Sequence, residues 1–386
     1  MLGCFRGYKN LSNGNSIAGI NIIALKKSTI FLIIDDLGKG GAEMLLVGIL
    51  QDLRQSYNVI LITLNDNCAF DDAAFNNVTR HSLGVKNKLH YFPAIVRLKR
   101  LIKKYKPALV HSHLVYSSII ARLACPANIP LLFSVHNEIG SNVFNASPIL
   151  RLLEKKTIKK RHTLIAVSNA VLEDYGKAIH FEGDKIVLPN YISDEFYLKQ
   201  YEPVSAYQPG ETLRVVALGN IKKSKNYEYL VESFKQLKGY PVTIDIYGKK
   251  DETIYPVLQS VVSEHDLPVL FKGIASDIPR LFSHYHLYIM SSIHEGFGIA
   301  VVEAMASGLP LLLSDLKALR EVTGSNALFF DLKDSEAMAV KIKEILDGNH
   351  DLAGLSLKGL GIAKNYSKQI YLQKLNSIYA KLAPSL

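Results

Sequence analysis

The chain has 386 residues, 48% of them apolar and 21% charged, which is long enough for two cores and ordinary for a globular α/β protein. Its formal net charge is +10, and no apolar run reaches the length of a membrane-crossing helix. Cys4, Cys68 and Cys125 are scattered without metal-ligand spacing, which speaks against a disulfide framework or zinc site and for a reducing cytoplasm.

Residues 1–28 are mixed in character, lack the charge–apolar–small order of a signal peptide, and read as a disordered extension. Continuous apolar runs then alternate with helical periods. Strands are predicted at 29–35, 58–63, 109–112, 131–136, 163–167 and 185–188, as expected for strands buried on both faces. Helices are predicted at 42–54, 95–105, 117–124, 148–160 and 169–176, with Ser147 as N-cap and Pro148 in the first turn of the fourth. This alternation implies a parallel, doubly wound sheet over 29–196.

The stretch 197–211 is polar, carries Pro203, Pro209 and Gly210, and reads as a linker. Alternation restarts in a second unit, 212–366. Its strands are predicted at 213–218, 242–247, 268–271, 287–290, 310–314 and 327–330, and its helices at 227–238, 255–265, 278–283, 299–307 and 335–347. A last helix is predicted at 368–382, within a terminal segment 367–386.

Basic residues cluster at 86–106 and 151–161, interleaved with apolar ones. Both segments read as amphipathic helices with a basic outer face. Such a face either docks on anionic lipid or is simply solvated. No nucleic-acid-reading motif accompanies them.

The segment Ser291-Ser292-Ile293-His294-Glu295-Gly296-Phe297-Gly298-Ile299 follows an apolar strand and opens a helix that carries Glu303. Seven residues separate the two carboxylates. A glycine-flanked helix N-terminus suits a phosphate, and a neighbouring carboxylate accepts hydrogen bonds from sugar hydroxyls. Two further glycine loops follow first strands: Gly38-Lys39-Gly40-Gly41-Ala42-Glu43 in the first unit, and Gly219-Asn220-Ile221-Lys222-Lys223-Ser224-Lys225 in the second. The first lacks the third glycine of a dinucleotide fingerprint. His136 ends an apolar strand, at the edge where open α/β sheets bind ligands. His111 and His113 end another, where lining an acceptor site and packing are both open readings.

These motifs resemble those of the glycosyltransferases of family 4, with the Glu-x7-Glu signature and its flanks. The resemblance implies a GT-B architecture: two Rossmann-like α/β domains facing across a cleft, with the final helix crossing back to the first domain. It implies retaining transfer from a nucleotide diphosphate sugar to a hydroxyl, on a glycan or lipid-linked polysaccharide precursor. By motif, His294, Glu295, Gly296, Phe297, Gly298 and Ile299 lie at the donor sugar and diphosphate, and Glu303 at the ribose. Gly40, Gly41, Gly219, Asn220 and Gly248 line the donor cleft. Lys225 neutralises the leaving diphosphate, and His136 lies near sugar and acceptor. Glu295, His136 and Lys225 are thus the expected catalytic groups. Asn220 stands where the family has arginine, so one cation is missing; Lys222 or Lys223 is a substitute. Tyr191 stands where the family has glycine. No metal or other cofactor is expected, and the resemblance places the enzyme in the cytoplasm or peripherally on the inner membrane face. A nucleotide-sugar 2-epimerase and a catalytically weak nucleotide-sugar-binding protein are the alternative readings.

Overall fold

A computed structural model describes residues 27–38, 40–198 and 207–384. The predicted extension, except Lys27 and Ser28, lies outside the described residues.

The first unit runs β1 (Thr29–Ile34), α1 (Gly41–Ser56), β2 (Asn58–Thr63), β3 (Thr79–Ser82), α2 (Tyr91–Tyr105), β4 (Leu109–His113) and α3 (Val115–Ala124). It continues through β5 (Leu131–Val135), α4 (Pro148–Thr157), β6 (Thr163–Ala166), α5 (Asn169–Ala178), β7 (Asp184–Val187) and the short α6 (Glu195–Leu198). Its strands form one parallel sheet in the order β3-β2-β1-β4-β5-β6-β7. Strands β1 and β5 are almost wholly apolar, and these two and β4 (Leu-Val-His-Ser-His) are buried along nearly their whole length, as helices on both faces require.

The second unit holds β8 (Leu213–Leu218), α7 (Tyr227–Lys235), β9 (Val242–Tyr247), α8 (Ile254–Glu264), β10 (Val269–Gly273), α9 (Ile278–Phe282) and β11 (Leu287–Met290). Then come α10 (Ile299–Ala306), β12 (Leu311–Ser314), α11 (Lys317–Thr323), β13 (Leu328–Phe330), α12 (Ala337–Leu346) and α13 (Leu352–Ala363). Its parallel sheet is ordered β10-β9-β8-β11-β12-β13. In both sheets the winding direction reverses beside the first strand, between β1 and β4 and between β8 and β11. The C-terminal strand edges there form the crevice in which doubly wound sheets bind ligands.

The chain then returns. Helix α14 (Lys368–Leu382) packs on the first sheet: Leu375 and Tyr379 are fully buried with Leu109, Leu132 and Ile165. The outgoing and returning segments run side by side. Ile192 N donates to Tyr366 O (3.0 Å), and Tyr197 Oη donates to Ala363 O (2.7 Å). Tyr191 Oη donates to Leu45 O of α1 (2.8 Å). Gly48 makes room for it, because a Cβ there would stand 2.4 Å from that hydroxyl oxygen.

Several expectations need correction. Strand β3, Thr-Arg-His-Ser, was not predicted, because an edge strand carries no apolar run. Helices α6, α11 and α13 were also not predicted; α13 carries Gly354, Gly359 and Gly361, which mask its period. The basic helix of 86–106 begins only at Tyr91, after a single 3₁₀ turn, but does present Arg97, Lys99, Arg100, Lys103 and Lys104 outward. Helix α4 stops at Thr157 and presents Lys155 and Lys156 outward as expected, but Ile149, Leu152 and Leu153 are exposed beside them, while Glu154 and Thr157 point inward with Leu150. Glu154 tolerates burial because Arg122 Nη2 donates to one of its oxygens and Tyr175 Oη to the other (2.6 Å).

Candidate active site

The two units meet at the loop between β11 and α10. Gly296 lies so close to the first unit that a Cβ there would stand 2.2 Å from His136 O. Ser168 Oγ, at the N-cap of α5, donates to Gly296 O (2.7 Å). His294 Nδ1 pairs with Glu138 Oε2 (3.2 Å), and burial raises the Glu138 pKa. The first two backbone N–H groups of α5 donate to Glu321 of α11: Asn169 N at 2.9 Å and Ala170 N at 3.3 Å. A carboxylate from one unit thereby satisfies the open helix end of the other. Gly41, in the first turn of α1, faces Ile299, and its Cβ position is 3.5 Å from Ile299 Cδ1.

Within this closed cleft, Lys225 and Glu295 are together. Lys225 Nζ donates to Glu295 Oε1, and Ser292 Oγ donates to the same oxygen (3.0 Å). Both side chains are largely buried. Lys225 is held by a 3₁₀ turn, and the neighbouring carbonyls of Lys225 and Asn226 accept from Ser291 Oγ. Gly298 is the N-cap of α10 in the left-handed region (φ 84°), so the free N–H groups of that helix open toward the Gly296–Gly298 turn. Phe297 turns inward, edge-on to Tyr366 at 5.3 Å, which leaves its backbone to face the cleft.

Glu303 sits one turn into α10. Burial, with the charge of Glu195 on α6 adding to it, raises its pKa to about 7. Gly219 and Gly248 pack loop on loop; a Cβ on Gly248 would stand 2.0 Å from Gly219 O. Asn220 bridges the same two loops, accepting from Lys249 N (3.0 Å). Lys222 and Lys223 are exposed at this loop, and so is Lys249. Gly40 is the N-cap of α1. Its neighbour Lys39 lies outside the described residues.

His136 is at the end of β5 beside Gly296, and burial lowers its pKa to about 4, so its ring is neutral at pH 7. The expected residues therefore converge from five loops onto one cleft. Four residues that sequence reasoning did not single out belong there too: Asp35, Glu138, Ser292 and Glu321. Asp35 ends β1 at the winding reversal, accepts from Ser117 N (2.7 Å), and is pushed by burial to a pKa of about 6. The rule that selected His136, an end of a central strand, also selects Asp35. Nothing local marks Glu321, whose partners are about 150 residues away in sequence.

Comparisons with known proteins bear on the family and the fold. The family profile described as "Glycosyltransferase Family 4" matches residues 39–196, and that described as "Glycosyl transferases group 1" matches residues 212–348. The chain is 23% identical over 232 residues to O-antigen chain mannosyltransferase B of Escherichia coli, covering 56% of this chain and 61% of that protein. The chain thus spans about three fifths of that relative's length. It is 22% identical over 334 residues to the capsular polysaccharide biosynthesis glycosyltransferase CapM of Staphylococcus aureus, covering 79% of this chain and 86% of that one. Among solved structures, Anabaena Alr3699/HepE in complex with UDP superposes with a TM-score of 0.77 at 18% identity, covering 92% of this chain and 100% of that chain. With both sheets, the cleft and two family profiles in agreement, the chain belongs to the family 4 glycosyltransferases.

Proposed function

We propose that this chain transfers a glycosyl group from a nucleotide diphosphate sugar to a hydroxyl acceptor, with retention at the anomeric carbon and without a metal. The observation that carries this reading is the Lys225–Glu295 pair at the mouth of the α10 N-terminus, with Glu303 one turn further in. Glu303 receives the ribose hydroxyls. Lys225 and the N–H groups at the start of α10 receive the diphosphate as it takes on charge, which is where electrostatic stabilisation counts most. Glu295, released from Lys225, accepts hydrogen bonds from the sugar and orients its ring.

A same-face displacement fits these groups best. The bond from the anomeric carbon to the phosphate oxygen breaks and a bond to the acceptor oxygen forms on the same face. The acceptor's proton passes to the departing diphosphate. A covalent route needs a carboxylate poised as nucleophile. Glu295 is engaged by Lys225 and Ser292, and Glu303 belongs to the ribose. His136, neutral, orients hydroxyls.

We also place the acceptor side at an anionic membrane surface, on its cytoplasmic face, with a lipid-linked or surface-glycan precursor as acceptor. Helices α2, α3 and α4 lie side by side. From Gly84 to His162 the only acids are Glu138 and Glu154, the latter buried against Arg122, while lysines and arginines cluster at 86–106 and 151–161. Exposed Leu89, Phe92, Ile149, Leu152 and Leu153 supply apolar contacts among them. No helix among the described residues is long and apolar enough to cross a membrane.

A thermal-shift panel of UDP-, GDP- and ADP-sugars, with magnesium or EDTA, tests the donor reading. One base is expected to stabilise the protein equally in both; no shift, or one abolished by EDTA, overturns it. Co-sedimentation with anionic and with neutral vesicles tests the surface. Binding is expected to the anionic vesicles alone and to fall with salt; equal binding to both, or to neither, overturns it.

A further inference from the structure

Three histidines lie ring against ring at the floor of the cleft. His113, at the end of β4, is buried, and its Nδ1 is 3.2 Å from His136 Nε2, with the rings stacked at 5.4 Å between centroids. His111 lies behind, its ring centroid 4.2 Å from that of His113. His111 is bolted at both nitrogens, Nδ1 to Tyr379 Oη (2.8 Å) and Nε2 to Ser134 Oγ (2.7 Å). Burial lowers the pKa of all three, so none carries charge at neutral pH. His113 Nε2 and His136 Nδ1 are buried without a hydrogen-bond partner among the described residues.

The geometry points to His113 as a positioning residue for the transfer reaction, one that holds the His136 ring and selects its tautomer. A single proton lies between the paired nitrogens. When it sits on His113 Nδ1, His136 carries its own proton on Nδ1 and offers a donor. When it sits on His136 Nε2, the Nδ1 of His136 is a bare acceptor. Which nitrogen of a histidine is protonated is set by the bond that the other one makes. The backbone shows how firmly His113 is held. Leu114, which follows it, is kept at φ 71° and ψ 173°, a region that glycine normally occupies. The His113 carbonyl also accepts from Ser117 Oγ, whose backbone N–H is in turn fixed by Asp35. A strained residue, a clamped carbonyl and a bolted ring behind leave His113 one orientation. That orientation faces His136.

The kinetic part of this inference rests on the proposed transfer reaction; the tautomer does not. Nitrogen-15 spectra of the histidine-labelled full chain read protonation at each ring nitrogen, with His136→Gln giving the assignment. The wild type is expected to hold His136 in one tautomer. His113→Phe keeps the ring volume without a nitrogen, and should move His136 toward the averaged shifts of a free imidazole. His113→Asn puts an amide near the Nδ1 position and should restore the single tautomer. In transfer assays kcat should fall on the order of 10–100-fold in the Phe variant, with donor KM unchanged, and recover in the Asn variant. Unchanged His136 shifts in His113→Phe overturn the inference, as does equal loss of kcat in both variants. If His113→Phe does not fold, a free-imidazole pattern in His113→Asn overturns it. Should the wild type turn over no donor, the reaction reading fails and the spectra still decide this one.

Discussion

Lys225 and Glu295, 70 residues apart in sequence, neutralise one another in the cleft, with Ser292 as a third partner on the same carboxylate oxygen. Donor binding has to exchange this internal pair for contacts to a diphosphate and a sugar. Lys225→Met is therefore expected to strand Glu295 and to lower kcat on the order of 10²–10³-fold. Glu295→Ala frees Lys225 for the diphosphate, so it should lower kcat while leaving nucleoside diphosphate affinity equal or tighter. Calorimetric titration with the nucleotide, beside transfer assays, checks both; near-normal transfer by Glu295→Ala would sink its assigned role.

Gly296 sets how closely the two units approach. Any Cβ there collides with the His136 carbonyl, so Gly296→Ala should hold the cleft open while each sheet stays folded. Transfer should drop by roughly 10²-fold, as expected for a displacement of about an ångström at reacting groups. Small-angle scattering should show a larger radius of gyration. An unchanged radius with normal turnover would refute the prediction.

Glu303 makes stability depend on pH in an unusual direction. Its folded pKa of about 7 lies above the ordinary 4.5, with burial as the main cause. The folded state binds the proton more tightly, so the contribution of this residue is fully present below pH 4.5 and is lost as pH rises through 7. Glu303→Gln should therefore be more stable than the wild type at pH 8 and show no such advantage at pH 4.5. Thermal melts at the two values decide the sign. Glu195→Gln should move the same transition to lower pH.

Gly48 in α1 is an exception to helix propensity. Replacing an interior glycine by alanine ordinarily stabilises a helix by about 1 kcal/mol. Here the new methyl would strike the Tyr191 hydroxyl, so Gly48→Ala is expected to destabilise. Tyr191→Phe alone should cost about 0.5–1.5 kcal/mol for the lost bond to Leu45 O. The double variant should be more stable than Gly48→Ala, because the remaining ring carbon is 3.5 Å from the Cβ position. Urea denaturation of the four proteins gives the coupling.

Much of this was legible in the sequence, and what was not shares a cause. The central strands announced themselves by apolar runs, and α14 was predicted with its observed bounds. Edge strand β3 and glycine-bearing α13 lack those signals. Helix α4 presents its lysines outward as the pattern implies, but Leu152 and Leu153 are exposed beside them. Its inward side carries, besides Leu150, Glu154 and Thr157, partnered by Arg122 from α3, which no local pattern reveals. In the cleft, motif spacing located Glu295, Glu303, Lys225 and His136. It did not reveal that Lys225 would already hold Glu295, that His113 would face His136, or that Glu321 would cap α5. Each of these joins segments tens to about 150 residues apart.

Helix α14 ties the second unit back to the first. Tyr379 bonds His111 and stacks edge-on to Tyr57, and Leu375 closes the face that β4, β5 and β6 leave open. On the ribosome, the first half emerges with the part of this face beyond α1 still bare, and stays so until α14 has been made. Neither half is thus a portable module. A fragment ending before Lys368 would carry an uncovered apolar wall, and the loss of α14 would be felt first in the half that was translated earliest.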